Sequence, residues 1–102
     1  MFKDDKMEIG NRIQELRKLN SMTAKELSER INISPSFISA IENNSTKLSL
    51  KTLAHICDVL GVTLSEFFNS EISPVEQKLI SQIKHLPEEK QYELLAFLTG
   101  LV

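Results

Sequence analysis

The sequence predicts an all-α fold, with five short helices in one unit over residues 7–69 and a two-helix appendage over 73–102. Three observations predict it. Apolar residues recur at spacings of three and four, with no sustained period-two alternation. Thr23–Glu26, Thr63–Glu66 and Ser73–Glu76 each place a hydroxyl three residues ahead of a glutamate, the reciprocal capping pattern that opens a helix. No Asn-Gly or Asp-Gly pair offers a tight hairpin turn.

Each element follows from local chemistry. Ile9, Ile13, Leu16 and Leu19 line one face of a first helix over residues 7–19. The box at Thr23 opens a second, carrying Leu27 and Ile31. Ser34-Pro35 opens a third, because serine caps well and proline at the first helical position loses no bonded donor. Its apolar stripe is Ile38 and Ile41. Asn43-Asn44-Ser45-Thr46 is a polar loop in which asparagine tolerates a left-handed helix ending. Ser49 caps a fourth helix with Leu50, Leu53, Ile56, Cys57 and Leu60, closed by Gly61. The box at Thr63 opens a short turn bearing Phe67 and Phe68. After a boundary near 69–72, Ser73-Pro74 starts a helix with Val75, Leu79, Ile83 and Leu86 on one stripe and Ile80 beside it. Pro87 stops that helix and starts the last one, whose Tyr92, Leu94, Leu95, Phe97, Leu98 and Leu101 form a broad apolar surface.

Composition narrows the function. The chain has 102 residues, 41% apolar, enough for a core and too many for wholesale disorder. No apolar run is long enough to span a membrane, and Met1–Lys6 has no apolar segment of a secretory signal. The single cysteine fits a reducing cytoplasm. The formal charge is −2, so nucleic acid would be held by a local patch rather than by bulk attraction. Residues 1–70 carry nine basic and nine acidic side chains, whereas 71–102 carry three lysines against five glutamates. Cys57 lies on an apolar stripe and reads as a core residue. His55 and Cys57 sit about 200° apart around their helix and cannot share a metal. No metal cluster, cofactor loop or nucleophile–base arrangement is present, so no enzyme, metal or cofactor is expected.

The second and third helices meet through the short link Asn32-Ile33. Leu27, Ile31, Ile33, Ile38 and Ile41 point to one core, and small Ser28 stands where the helices cross. Asn32 falls where a positive φ is needed. This is the pattern of a helix-turn-helix, whose second helix can enter a DNA major groove. From Ile9 to Phe68 the chain resembles the lambda-repressor/Cro-type, or XRE-like, regulators. The pattern is met jointly at Ile13, Leu16, Arg17, Thr23, Glu26, Leu27, Ile31, Ser34, Ile38, Ser39, Ile41, Glu42, Leu53, Ile56, Leu60, Gly61, Val62, Leu64 and Phe67, with 33–44 the most diagnostic stretch. The chain departs from that pattern at Ala24, where a phosphate-binding glutamine is usual. It departs also at Asn32 and Asn44, where glycines are usual, and at Leu48, where proline is usual.

The resemblance implies a five-helix lambda-repressor-like domain. It implies that Arg17 and Glu42 form a buried ion pair holding the reading helix to the first helix. It places Pro35, Ser36, Ser39 and Ala40 on the bases and Ser34 and Asn43 at the DNA. Asn43, Asn44, Thr46 and Lys47 form a polar loop suited to phosphates, with Lys25 and Lys51 as further candidates. Such a menu reads bases weakly. Serines make single bonds, and Pro35 and Ala40 only pack, which puts weight on DNA shape.

Leu79, Ile83 and Leu86 with Leu94, Leu95 and Leu98 are too many apolar groups for an isolated hairpin to cover. They either fold back on the front unit or form the interface of a homodimer that matches a palindromic operator. The expected function is a cytoplasmic, sequence-specific transcriptional regulator, a repressor, on double-stranded DNA. Two alternatives stay open. One is an antitoxin-type regulator whose C-terminal helices bind a regulatory protein or peptide. The other is a protein-interaction module that has lost DNA binding.

Overall fold

The computed structural model describes residues 8–101. The segment read for a secretory signal, Met7 at the expected start of the first helix, and Val102 lie outside the described residues. These form seven helices and no strand: α1 (Ile9–Leu19), α2 (Ala24–Arg30), α3 (Pro35–Glu42), α4 (Leu50–Leu60), α5 (Leu64–Phe67), α6 (Pro74–Lys84) and α7 (Glu88–Gly100). The capping chemistry acts where the sequence places it. Thr23, Thr63 and Ser73 each accept from the amide three residues on, and Glu26, Glu66 and Glu76 each accept from the cap's own amide. Ser34 and Ser49 cap α3 and α4 through their hydroxyls.

The first four helices end alike. Ser21, Asn32, Asn44 and Gly61 all take positive φ just past a helix. In each case the amide of the following residue reaches back over a full turn: Met22 to Arg17, Ile33 to Ser28, Ser45 to Ala40 and Val62 to Cys57. This satisfies carbonyls that would otherwise be orphaned and turns the chain sharply into the next helix.

The core lies between α1 and α5. Ile13, Leu16, Leu27, Ile31, Ile38, Ile41, Leu53, Ile56, Cys57, Leu60, Val62 and Phe67 are buried together, with Ile33, Phe37 and Leu48 packed on the edge. Ser28 is fully buried at the crossing of α2 and α3, and its hydroxyl donates to the Lys25 carbonyl at 2.7 Å. Burial pushes the Cys57 thiol up to about 11, so it stays protonated and unreactive. Three expected members of the apolar faces lie outside this core, the first being Leu19 at the end of α1, which is exposed. Leu50, at the first position of α4, is 66% exposed. Phe68 is half-exposed and meets Phe67 edge-on, with ring centroids 5.3 Å apart.

Helix α6 lies along α1, and its docking is polar. Arg12 donates to the Ile72 carbonyl at 2.8 Å, Lys78 to Asn20 Oδ1 at 2.8 Å, and Lys84 to Glu66 Oε2 at 2.5 Å. Burial lowers the Arg12 guanidinium below its ordinary value, with Glu15 opposing. The bonds from Lys84 and from the Thr63 amide hold Glu66 below the usual carboxylate range. The face of α6 turned to the front unit carries Gln77 and Ser81, both buried. Gly61 leaves room for this approach, because a Cβ there would stand 3.0 Å from Ser81 Oγ.

The stripe Val75, Leu79, Ile83 lies two residues out of phase with Gln77 and Ser81, hence about 200° around the helix. It therefore lies opposite the docked face, although Val75 still borders an open groove with Glu15, Lys18 and Leu19 of α1. Val75 and Leu79 are more than half exposed. Helix α7 is exposed all round. Among its described residues none is buried, and Tyr92, Leu95, Phe97, Leu98 and Leu101 are all exposed. It is tied to α6 by Gln91, whose side-chain amide donates to the carbonyls of Ile83 and Leu86.

Candidate nucleic-acid interface

The reading helix is built from its inner face outwards. Ile38 and Ile41 are buried and Phe37 packs at the edge, which leaves Ser36, Ser39, Ala40 and Asn43 on the opposite face. Pro35, Ser36, Ser39 and Asn43 are exposed, and Ala40 is half-buried. Ser34 serves as the cap: its hydroxyl accepts from the Phe37 amide at 3.1 Å and stands 3.3 Å from the Ser36 hydroxyl. Pro35 has no amide hydrogen and the Phe37 amide is taken by Ser34, so the start of α3 offers two hydroxyls and the single free amide of Ser36 at one exposed corner, a place for a phosphate oxygen.

The ion pair expected of Arg17 and Glu42 is present. Arg17 Nε donates to Glu42 Oε2 at 2.7 Å and Nη2 to Oε1 at 3.0 Å, both side chains being more than nine-tenths buried. The remaining nitrogen, Nη1, donates to the Met22 carbonyl at 2.8 Å. This two-pronged pair fixes the end of α3 to α1. It has no exposed surface to offer DNA, so its part is structural.

Beyond α3, Thr46 and Lys47 are exposed on the loop to α4. They flank an open groove formed with Glu8, Ile9, Gly10 and Leu48. Lys25 and Lys51, near the starts of α2 and α4, are also exposed. Ala24 heads α2 and packs on the core edge. It offers no polar group where the resembled pattern places one.

Asn44, expected on the phosphates, is exposed beside Thr46 and Lys47 and is also bonded to the start of α1. Its Oδ1 accepts from the Gly10 amide at 2.8 Å and its Nδ2 donates to Asn11 Oδ1 at 3.0 Å. The backbone there is left-handed, φ 59, and the side chain reaches the start of α1 while the residue stays exposed. Gly10 and Asn11 were absent from the site expected on sequence. The available signal was a glycine interrupting an otherwise regular helical stripe, which often marks close backbone approach.

A rigid helical scaffold that presents one exposed helix start and an adjoining polar loop, locked from behind by a buried ion pair, is the arrangement of a helix-turn-helix DNA-binding domain. A family model described as Helix-turn-helix matches residues 13–67, and the chain belongs to that family. It is similar to the immunity repressor protein of Bacillus phage phi105, at 34% identity over 65 residues that cover 64% of this chain and 45% of the repressor. It is similar to the control protein C.MunI of Mycoplasma sp, at 36% identity over 67 residues covering 65% of this chain and 90% of that protein. Among solved structures it resembles the restriction-modification controller protein C.Esp1396I, seen as a tetramer in complex with its natural 35 base-pair operator. That likeness has 29% identity and a TM-score of 0.57, and covers 71% of this chain and 91% of that one. The chain thus spans less than half of the phage repressor and nearly all of the control protein. Among the described residues no helix is long and apolar enough to cross a membrane.

Proposed function

We propose that this chain is a sequence-specific transcriptional regulator, a repressor, that binds a palindromic operator as a homodimer with α3 in the major groove. The observation that carries the reading is the two-sidedness of α3. One face is locked by Ile38, Ile41 and the Arg17–Glu42 pair, and the other presents Pro35, Ser36, Ser39 and Ala40 to the exterior. Ser34, Asn43, Thr46 and Lys47 frame that face for phosphates. The matched family, and its similarity to repressor and controller proteins, support it.

The homodimer is argued from the far end of the molecule. Leu79, Leu86, Leu95 and Leu98 are exposed, and Ile83 and Leu94 partly buried, on the apolar surface of the α6–α7 hairpin. A second copy would cover it, and a two-fold pair matches a palindrome. The same surface also suits the antitoxin-type reading, in which a partner protein takes the place of the second copy. Burial of the reduced Cys57 fits a cytoplasmic protein.

The test is selection of bound duplexes from a random-sequence pool, with the wild type and a Leu95→Glu/Leu98→Glu variant in the full chain. Both leucines are exposed, so the variant keeps its fold. An inverted repeat with half-sites about one helical turn apart, selected by a dimeric wild type and lost by a monomeric variant, is the expected result. A monomeric wild type that still selects a sequence would favour a heterologous partner. No enriched sequence from a folded wild type would refute DNA reading altogether.

A further inference from the structure

We infer that Asn44 is a positioning residue for the reading helix, latching the end of α3 and its phosphate-facing loop to the start of α1 rather than touching DNA itself. The inference rests on the DNA-binding reading above. The start of α1 lacks a cap of its own: Glu8 is extended there and makes no side-chain bond to the helix amides. The Gly10 amide is one of the first-turn donors that a helix leaves unsatisfied, and Asn44 Oδ1 fills that vacancy from a position 34 residues away at 2.8 Å. The other end of the same side chain donates to Asn11 Oδ1 at 3.0 Å, and Asn11 in turn donates to Glu8 Oε1 at 2.7 Å. One amide therefore ties Gly10 and Asn11 of α1, and through Asn11 the preceding Glu8, to the turn just past the reading helix.

Two further features fit the latch. Gly10 is buried, and a Cβ there would lie 2.7 Å from the Glu42 carbonyl and 2.7 Å from Asn44 Oδ1, so only glycine lets the backbones come this close. Asn44 itself sits at φ 59, a conformation asparagine tolerates better than most residues. Glycine would satisfy that backbone equally well but would carry no latch.

The consequence concerns register. The Arg17–Glu42 pair and the apolar face hold α3 along its length, but the loop through Thr46 and Lys47 leaves the helix beyond them. With Asn44 fixed to α1, that loop starts from a defined point, and phosphate contacts set the register in which bases are read. A loop released from the latch still neutralises phosphate but no longer fixes that register.

Asn44→Gly separates the possibilities, because it keeps the backbone and removes only the side chain. Hydrogen exchange at the Gly10 amide, in the full chain without DNA, reads the latch directly. Protection there is expected to vanish in the variant while core amides such as Ile13 keep theirs. Binding is then measured on the inverted-repeat duplex enriched by the wild type and on a scrambled duplex of the same length. Affinity for the enriched duplex is expected to fall about tenfold, comparable to one disturbed base-pair contact, with scrambled binding and the salt slope unchanged. If both affinities fall by the same factor, Asn44 is a phosphate ligand and the inference is wrong; the slope does not move in either case, because a neutral amide displaces no counterion. Unchanged exchange at Gly10, or unchanged binding to both duplexes, overturns it as well. A wild type without sequence preference refutes the DNA-reading proposal instead, and leaves the exchange measurement to decide the latch.

Discussion

The side-chain amide of Gln77 on α6 donates to the main-chain carbonyl of Glu66 at the end of α5, while its own oxygen, Oε1, is buried without a partner among the described residues. Gln77 is 1% exposed, so this acceptor is cut off from bulk solvent. A buried unpaired acceptor costs about 1–3 kcal/mol, and a net hydrogen bond returns about 1. The Glu66 carbonyl also accepts from the Asn69 amide at 3.2 Å, so losing Gln77 does not orphan it. Gln77→Leu should therefore leave stability within about 1 kcal/mol of the wild type, or raise it. Urea unfolding measures this. A loss beyond about 2 kcal/mol would mean that the amide bond is essential to docking α6.

Ser21 offers a stabilising change. It ends α1 at φ 55, a left-handed conformation that an L-residue with a Cβ adopts at a cost of about 1–2 kcal/mol. Glycine removes that cost and loses part of the gain to the greater freedom of the unfolded chain. Ser21→Gly should gain about 0.5 kcal/mol, a rise of about 2–4 °C in Tm for a domain of this size. Gly61→Ser, at φ 79 and against Ser81, should do the reverse. Calorimetry on the two variants checks both signs. A Tm for Ser21→Gly at or below that of the wild type would mean that the serine side chain has a stabilising contact of its own.

These two sites also mark what the sequence could and could not reveal. Helix starts were legible because a cap is a local chemical event: Thr23, Ser34, Ser49, Thr63 and Ser73 each reach only three residues ahead. Asn32 and Gly61 were legible as left-handed turns for the same reason, and Arg17–Glu42 followed from the family pattern. Ser21 was missed because serine carries no strong preference for positive φ. On α6 the periodicity correctly grouped Val75, Leu79 and Ile83, but which way a stripe faces depends on what the opposite face can dock. Here Gln77 and Ser81 dock, a polar choice that no hydrophobic pattern announces. The Asn44–Gly10 bond spans 34 residues, and composition near either end gives no hint of the other.

The buried pair makes Glu42 a stability residue first. Removing it leaves the Arg17 guanidinium desolvated, with only the Met22 carbonyl as a partner among the described residues. Breaking a buried pair in this way costs about 3–5 kcal/mol, a large part of the total stability of a small domain. Glu42→Ala should accordingly lower the melting temperature steeply, and below that temperature it should keep its preference for the enriched duplex. Arg17→Met combined with Glu42→Leu should recover much of the loss, since the orphaned charge is gone. An unchanged melting temperature for Glu42→Ala would show that the pair is open to water in solution.

Lys47 is the counterpart test, on the proposed DNA side rather than the scaffold side. Its side chain is exposed on the loop after α3, beside Thr46 and away from the buried pair. A lysine that meets only phosphate contributes the same attraction to any sequence and releases about one counterion. Lys47→Ala should leave the melting temperature unchanged. It should weaken binding to the enriched and scrambled duplexes by the same factor, and make the log–log salt slope shallower by about 0.9. Titrations at several salt concentrations give both quantities from one series. Loss confined to the enriched duplex, with an unchanged slope, would move Lys47 from the phosphates to a base edge. Taken with Asn44→Gly, the expected outcomes are opposite in kind. Lys47 should change the slope without changing the preference, and Asn44 should change the preference without changing the slope.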